Sequence, residues 1–209
     1  FRTRGQNGAS DEFIELFNAG DETVDIGGWL IKKSSGCGTT TTILVTIVDG
    51  VQLLPGQHFL AAPSGASITS PDQSFTAGIG DNGGVALFND LGIAIDKVGM
   101  CASTSYFEGE PLAPFTSSNL DGSYDRLSGG TFGNCHDTNN NFADLKLISP
   151  SNPQNLSSPQ TTCSDIVTAT ATDMETAPAT ETETSTPTDT ATITPTNAVI
   201  VTPTFTPTA

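Results

Sequence analysis

The chain has 209 residues, with seven Lys and Arg against 23 Asp and Glu, for a formal net charge of −16. That balance repels a nucleic-acid backbone or an anionic membrane surface, so polyanion binding is set aside, and no run of 18 apolar residues offers a membrane span. Only 14% of residues are charged, and 21 Gly and 13 Pro accompany plentiful Val, Ile, Thr and Phe, which suits short strands and tight turns rather than long helices.

In chain order, "DEFIELFNAGDETVDIGGWLIKK" opens the pattern. Ile14 and Leu16 share one face at period two, "NAGD" turns, and Trp29 with Ile31 begins a second strand. "TTILVTIVDG" and "QHFLAAP" flank the turn signal Leu54-Pro55-Gly56. "GGVALFNDLGIAIDKVGM" reads as a hairpin turning at Asn89-Asp90-Leu91-Gly92. "SYDRL" and "FADLKLISP" are the last candidate strands. Many short strands with no helical stretch between them predict a sandwich or barrel.

Cys37, Cys101, Cys135 and Cys163 form an even set without a C-x-x-C pair or zinc-like spacing, so two disulfides in an oxidising compartment are expected. Four cysteines allow three connectivities. The chain does not open on Met or on a signal peptide, which reads as a processed start and fits an extracellular or cell-surface location.

Composition changes at about Ser164, beyond which there is no Lys, Arg, Gly or Cys. Thr occupies every even position from 180 to 196, namely Thr180, Thr182, Thr184, Thr186, Thr188, Thr190, Thr192, Thr194 and Thr196. The spacing predicts an extended, Pro-punctuated stalk whose alternating hydroxyls are candidates for O-glycosylation. Within this polar tail, Ala198-Val199-Ile200-Val201 and then Phe205 are an anomaly, because a solvated stalk has no use for an apolar strand-length run.

The segment "DEFIELFNAGDETVDIGGWLI" resembles the opening signature of the lamin tail domain, and "LLPGQHFL", "GDNGGVALFN", "VGMC", "YFEG", "SYDRL", "GNCHDTNNNFADL" and "SPSNPQN" follow in the order of its secreted bacterial branch. The resemblance spans roughly residues 1–163. It implies an all-β, immunoglobulin-like β-sandwich of lamin-tail type over 1–163; composition adds a Thr-rich linker over 164–197 and a candidate donor strand and tail over 198–209. It also implies no catalytic activity, and pairing of Cys37 with Cys101 and of Cys135 with Cys163. The second bond closes a loop of 28 residues and fastens "SPSNPQN" back onto the domain, for about 2–4 kcal/mol. Domains of this family begin with a short apolar strand before the "FRTRG" stretch, so a first strand is expected to be missing here.

Histidines occur only at 58 and 136, and no G-x-S-x-G, H-E-x-x-H or P-loop is present, so an enzyme is not expected. "CHDTNNNFAD" places Asp137, Asn139 and Asn141 at alternate positions with Asp144 beyond, which suggests a calcium loop, although Phe142 stands where an EF-hand loop needs Gly and turn-capping Asx residues explain the same pattern. Arg126 is expected to form a structural ion pair with Glu15, which lies in mid-strand, or with a loop Asp. Asn155-Leu156-Ser157 is a lone N-glycosylation sequon.

A sheet without its first strand leaves unpaired backbone groups, and residues Ala198, Val199, Ile200, Val201 and Phe205 offer a segment to fill them. The leading expectation is therefore a secreted homopolymer in which each copy donates this strand to a neighbour. The alternative is an adhesion or carbohydrate-binding module on a glycosylated stalk, assisted by calcium.

Overall fold

A computed structural model of the chain describes residues 1–68, 70–115, 120–128, 134–161 and 163. Among these residues eleven strands follow one another: β1 Ile14–Phe17, β2 Val24–Asp25, β3 Leu30–Ser34, β4 Thr41–Thr46, β5 Gln52–Leu53, β6 His58–Pro63, β7 Gln73–Phe75, β8 Gly84–Phe88, β9 Ala94–Gly99, β10 Ser123–Arg126 and β11 Leu145–Ile148. Among the described residues the named helical elements are a 3-10 turn at Ala9–Asp11 and one α-turn, α1, at Asn141–Asp144. The chain thus has the all-β, immunoglobulin-like sandwich fold.

One layer is a four-stranded sheet in the order β4-β3-β8-β9, and a second is the three-stranded sheet β1-β6-β7; β10 pairs with β11 and β2 with β5. Alternation decides which side chains meet between the layers. Ile31, Val45 and Val85 from the first sheet join Ile14, Phe59 and Ala61 from the second in one apolar core. The register Ile14↔Ala61 and Leu16↔Phe59 puts the inward residues of β1 and β6 side by side. Each buried Ile, Val or Phe among them contributes about 1.5–3 kcal/mol.

The opposite face of β1 and β6 carries Glu15, Phe17, His58 and Leu60. The segment 151–161 straps this face. Gln154 N–H donates to Glu15 Oε2 at 2.9 Å, Leu156 N–H to Asp72 Oδ2 at 3.1 Å and Thr161 N–H to the Gly56 carbonyl at 3.1 Å. The Cys135–Cys163 disulfide holds the end of the strap, with Cα atoms 5.6 Å apart.

The β8–β9 hairpin turns where expected. Asn89 Oδ1 accepts the Leu91 and Ile93 N–H groups, and Gly92 takes a φ of 75°, which favours glycine. At the other end of this hairpin Gly84 faces Gly99, and the backbone carbonyl of Tyr106 lies directly over the pair, in the space that a side chain would occupy.

"FADLKLISP" is not strand throughout. Asn140 caps a helical turn by accepting the Ala143 N–H at 3.2 Å, so Asn141–Asp144 are helical and the strand starts only at Leu145. The short β7, which runs parallel to β6, arises from "DQSF", a stretch without clear alternation.

Candidate functional site

The amino-terminal residues lie between two strands that do not touch each other in the sheet order. Phe1 and Tyr124 exchange N–H···O bonds of 3.0 and 2.9 Å, and Arg2 and Phe13 exchange two of 2.9 Å. Both are close pairs of antiparallel ladders, so Phe1 and Arg2 join β10 on one side to β1 on the other. Hydrogen bonding alternates along such ladders. The N–H and C=O of Glu15, Phe17 and Arg126 therefore turn toward the space on the amino side of Phe1, while Leu127 and Asn18 bond away from it, to Asp144 and Gln57. Among the described residues no strand pairs with β1 or β10 across that space.

The space is a groove of about 360 Å³ that opens into the sandwich. Leu16, Ile26, Trp29, Val85, Leu87 and Leu145 line its apolar interior, and Glu15, Asp96, Lys97, Asp125, Arg126 and Asp137 add its charges. Phe1 itself is buried in the core at 8% exposure, in the inward-facing position opposite Ile14. The groove thus lies between β1 and β10, beside Phe1.

Arg126 ties β10 to β9. Its Nη2 lies 2.6 Å from both carboxylate oxygens of Asp96, and its Nη1 lies 3.3 Å from the His136 carbonyl and 3.4 Å from Asp137 Oδ1. Burial works against the guanidinium charge, but Asp96, then Asp137 and Asp144, outweigh it and raise its pKa further. Glu108, close to the same carboxylates, has its pKa pushed up to about 7, by burial first and then by Asp96 and Asp137.

Of the two partners expected for Arg126, the structure has the loop carboxylate Asp137 and not Glu15. Arg126 is engaged by Asp96, Asp137 and Asp144, whereas Glu15 Oε1 lies 2.6 Å from His58 Nδ1 and its Oε2 receives the strap at Gln154. Glu15 and Arg126 belong to opposite walls of the groove, on β1 and β10. His58 is fully buried, and its Nε2 has no hydrogen-bond partner among the described residues.

The expected calcium ligands do not converge. Asn141 is fully buried and joins three backbones: Oδ1 accepts the Gly99 and Glu108 N–H groups at 2.9 and 3.1 Å, and Nδ2 donates to the Lys97 carbonyl at 2.8 Å. Asp144, also fully buried, accepts Thr138 Oγ1, Thr138 N–H and Asn140 N–H. Burial pushes its pKa up, but those hydrogen bonds, with help from Arg126, hold it below the usual value. Asp137 caps its own turn at Asn139 N–H, and Asn139 occupies the left-handed region at φ 59°. The cation inside this loop is the Arg126 guanidinium, and no group of three or more His, Cys, Asp or Glu among the described residues is arranged to hold a metal.

Cys37 is bonded to Cys101 and Cys135 to Cys163, which is compatible with an extracellular setting. Asn155 of the sequon is engaged, donating to the Ser70 carbonyl and accepting Ser157 N–H. The proposed donor residues Ala198, Val199, Ile200, Val201 and Phe205, and the Thr series from Thr180 to Thr196, lie outside the described residues. Sequence reasoning missed Asp96, His58 and Tyr124 as partners at the groove. Only the "SYDRL" and "FIELF" patterns pointed toward its walls.

The Lamin Tail Domain family model matches residues 3–101. That match, over just under half of the chain, supports the lamin-tail resemblance and points to a class of β-sandwich domains with binding and structural roles. It takes in strands β1 to β9 and therefore one wall of the groove; β10, the other wall, lies beyond it. No curated protein matches the chain.

Proposed function

We propose that the chain is a non-enzymatic extracellular structural subunit that polymerises head to tail, each copy laying the segment 198–205 into the groove of the next. What supports this reading is the apolar groove between β1 and β10, flanked on both sides by backbone groups turned toward it. Natural sheets rarely leave such edges open, and an extended segment satisfies them while its alternate side chains fill the apolar interior.

Length and charge agree with this occupant. The run Ala198-Val199-Ile200-Val201 is four residues long, as β1 is, and residues 190–209 carry no charge, so they can approach a rim that holds four carboxylates against Lys97 and Arg126. The linker 164–197 reaches about 100 Å if it is extended as polyproline II. A domain of this size is only about 40 Å across, so the segment can enter a neighbour. Donation to the next copy is a heterologous contact that does not close on itself and yields a filament.

The adhesion-module alternative draws less support, because the Asx-rich loop it relied on spends its oxygens on internal hydrogen bonds. The test is the full chain carrying V199D and V201D together. Charges at both inward positions should abolish filaments in electron micrographs while leaving the domain's melting temperature unchanged. Filaments that persist in the double variant overturn the reading. Intact-mass measurement of native material tests the glycan element separately, with hexose-sized increments on the Thr180–Thr196 segment as the expected result.

A further inference from the structure

We infer that the outer edge of β4 is a self-association surface, on which a second copy of this chain lays its own β4 antiparallel about a two-fold axis at Thr42.

The two edges of the four-stranded sheet are finished differently. On β9 the edge is closed: Asn141 accepts the Gly99 N–H and donates to the Lys97 carbonyl, and Leu112 N–H donates to the Gly99 carbonyl. β4 pairs with β3 on one side, and among the described residues no strand pairs with its other side. Side chains cap the two ends of that open side. Ser105 Oγ donates to the Thr39 carbonyl, and Gln73 bonds the Thr46 carbonyl and the Val48 N–H. Between these caps lie Thr41, Thr42 and Ile43, all exposed.

Alternation decides which backbone groups this window presents. Ser35 N–H donates to the Thr40 carbonyl, and the register continues Ser34↔Thr41, Lys33↔Thr42 and Lys32↔Ile43. Thr40 and Thr42 therefore bond to β3, while the N–H and C=O of Thr41 and Ile43 turn outward. That set is self-complementary. With Thr42 opposite Thr42 of the second copy, Thr41 of each copy faces Ile43 of the other, and each such pair exchanges two N–H···O bonds. The Ile43 side chain, 55% exposed, then lies against a Thr41 methyl group across the ladder.

Charge selects a second copy as the occupant. In a chain of net charge −16, copies repel one another wherever acids meet, but residues 34–48 contain no charged side chain. The neighbouring lysines of β3 are engaged elsewhere, Lys32 over the Phe88 ring and Lys33 with the Gly78 carbonyl. Natural proteins guard an exposed edge with charge or proline, and this window has neither. So short a ladder belongs to the interfaces below about 1,200 Å², so the dimer is weak and concentration-dependent. Its contact is isologous, whereas the head-to-tail contact proposed above is heterologous and does not set a residue opposite itself.

The test is the full-length variant T42C, with L91C at the exposed hairpin tip as the collision control, each oxidised mildly and read by non-reducing gel and peptide mapping. A non-hydrogen-bonded antiparallel pair has Cα atoms about 4.5 Å apart, within disulfide reach. T42C should form a covalent dimer at least about tenfold faster than L91C, because the paired strands hold the two thiols together. Adding I43K should bring that rate down to the control. Cross-linking no faster than L91C, or unaffected by I43K, overturns the pairing. Sedimentation of wild type against I43K reads the same contact without a new cysteine: I43K should shift toward smaller mass, and identical profiles overturn the inference.

Discussion

Arg126 Nη2 lies within 2.6 Å of both carboxylate oxygens of Asp96, a contact that joins β10 to β9 beside the groove. The same guanidinium faces Asp144, which is fully buried. Replacing Arg126 with Met leaves that carboxylate without its cation and should destabilise the domain by about 3–5 kcal/mol in urea denaturation. Arg126→Lys keeps the charge but loses the planar fork that also reaches the His136 carbonyl, so most of the loss should remain. Wild-type stability in Arg126→Met contradicts this account of the wall.

Asn141 is the second fixed point, since one side chain serves the backbones of Lys97, Gly99 and Glu108. Asn141→Ala strands three buried groups and should cost about 3 kcal/mol or more. Asn141→Asp should fare no better at neutral pH, because a carboxylate cannot donate to the Lys97 carbonyl. A calcium ligand behaves in the opposite way, with Asp tolerated and stability dependent on the ion. Melting with and without EDTA separates the two, and no shift is expected on chelation.

Glu12, at 1% exposure, accepts the Ile79 N–H on both oxygens, yet burial pushes its pKa up to about 7. A carboxyl whose folded pKa lies above its unfolded value binds its proton more tightly when folded. Stability should therefore fall as pH rises from about 4.5 through 7, with Glu108 adding to the slope and Glu12 alone accounting for about 3 kcal/mol. Asp11 and Asp144 have depressed pKa values and act in the other direction, losing their contribution as pH drops below the usual carboxylate range. The domain should be most stable in mild acid. Glu12→Gln should match wild type near pH 4.5 and exceed it at pH 8; a variant less stable than wild type at pH 8 contradicts the assignment.

Gly84 and Gly99 are needed for the space they leave open. A methyl group at either position meets the Tyr106 carbonyl, which is backbone and cannot swing aside. Gly99→Ala should cost more than 2 kcal/mol, read as a lower urea midpoint, whereas Gly92→Ala strains only an open turn and should cost about 1 kcal/mol.

Elements built from local alternation were legible in the sequence. "FIELF" and "GGVALFNDLGIAIDKVG" carry their period and their turn residues, and the strands and hairpin form there. The partners of Arg126 were not legible, because Asp96 lies 30 residues away on a strand that meets β10 only in three dimensions. The Asx-rich loop misled for a related reason. Asp, Asn and Thr cap turns with the same oxygens that bind cations, and only burial and hydrogen-bond direction reveal which use they have. The groove was half legible: the "FIELF" pattern marked one wall, but Tyr124 beside the other emerged only from the fold.

The most direct test is a three-dimensional reconstruction of native assemblies by electron microscopy, read at the groove between Glu15 and Arg126. The account predicts filaments in which strand density with the side chains of 199–202 fills that groove and continues into the linker of the neighbouring copy. A groove that is empty in a monomer, or that is filled by the same copy's own polypeptide running into Phe1, contradicts it.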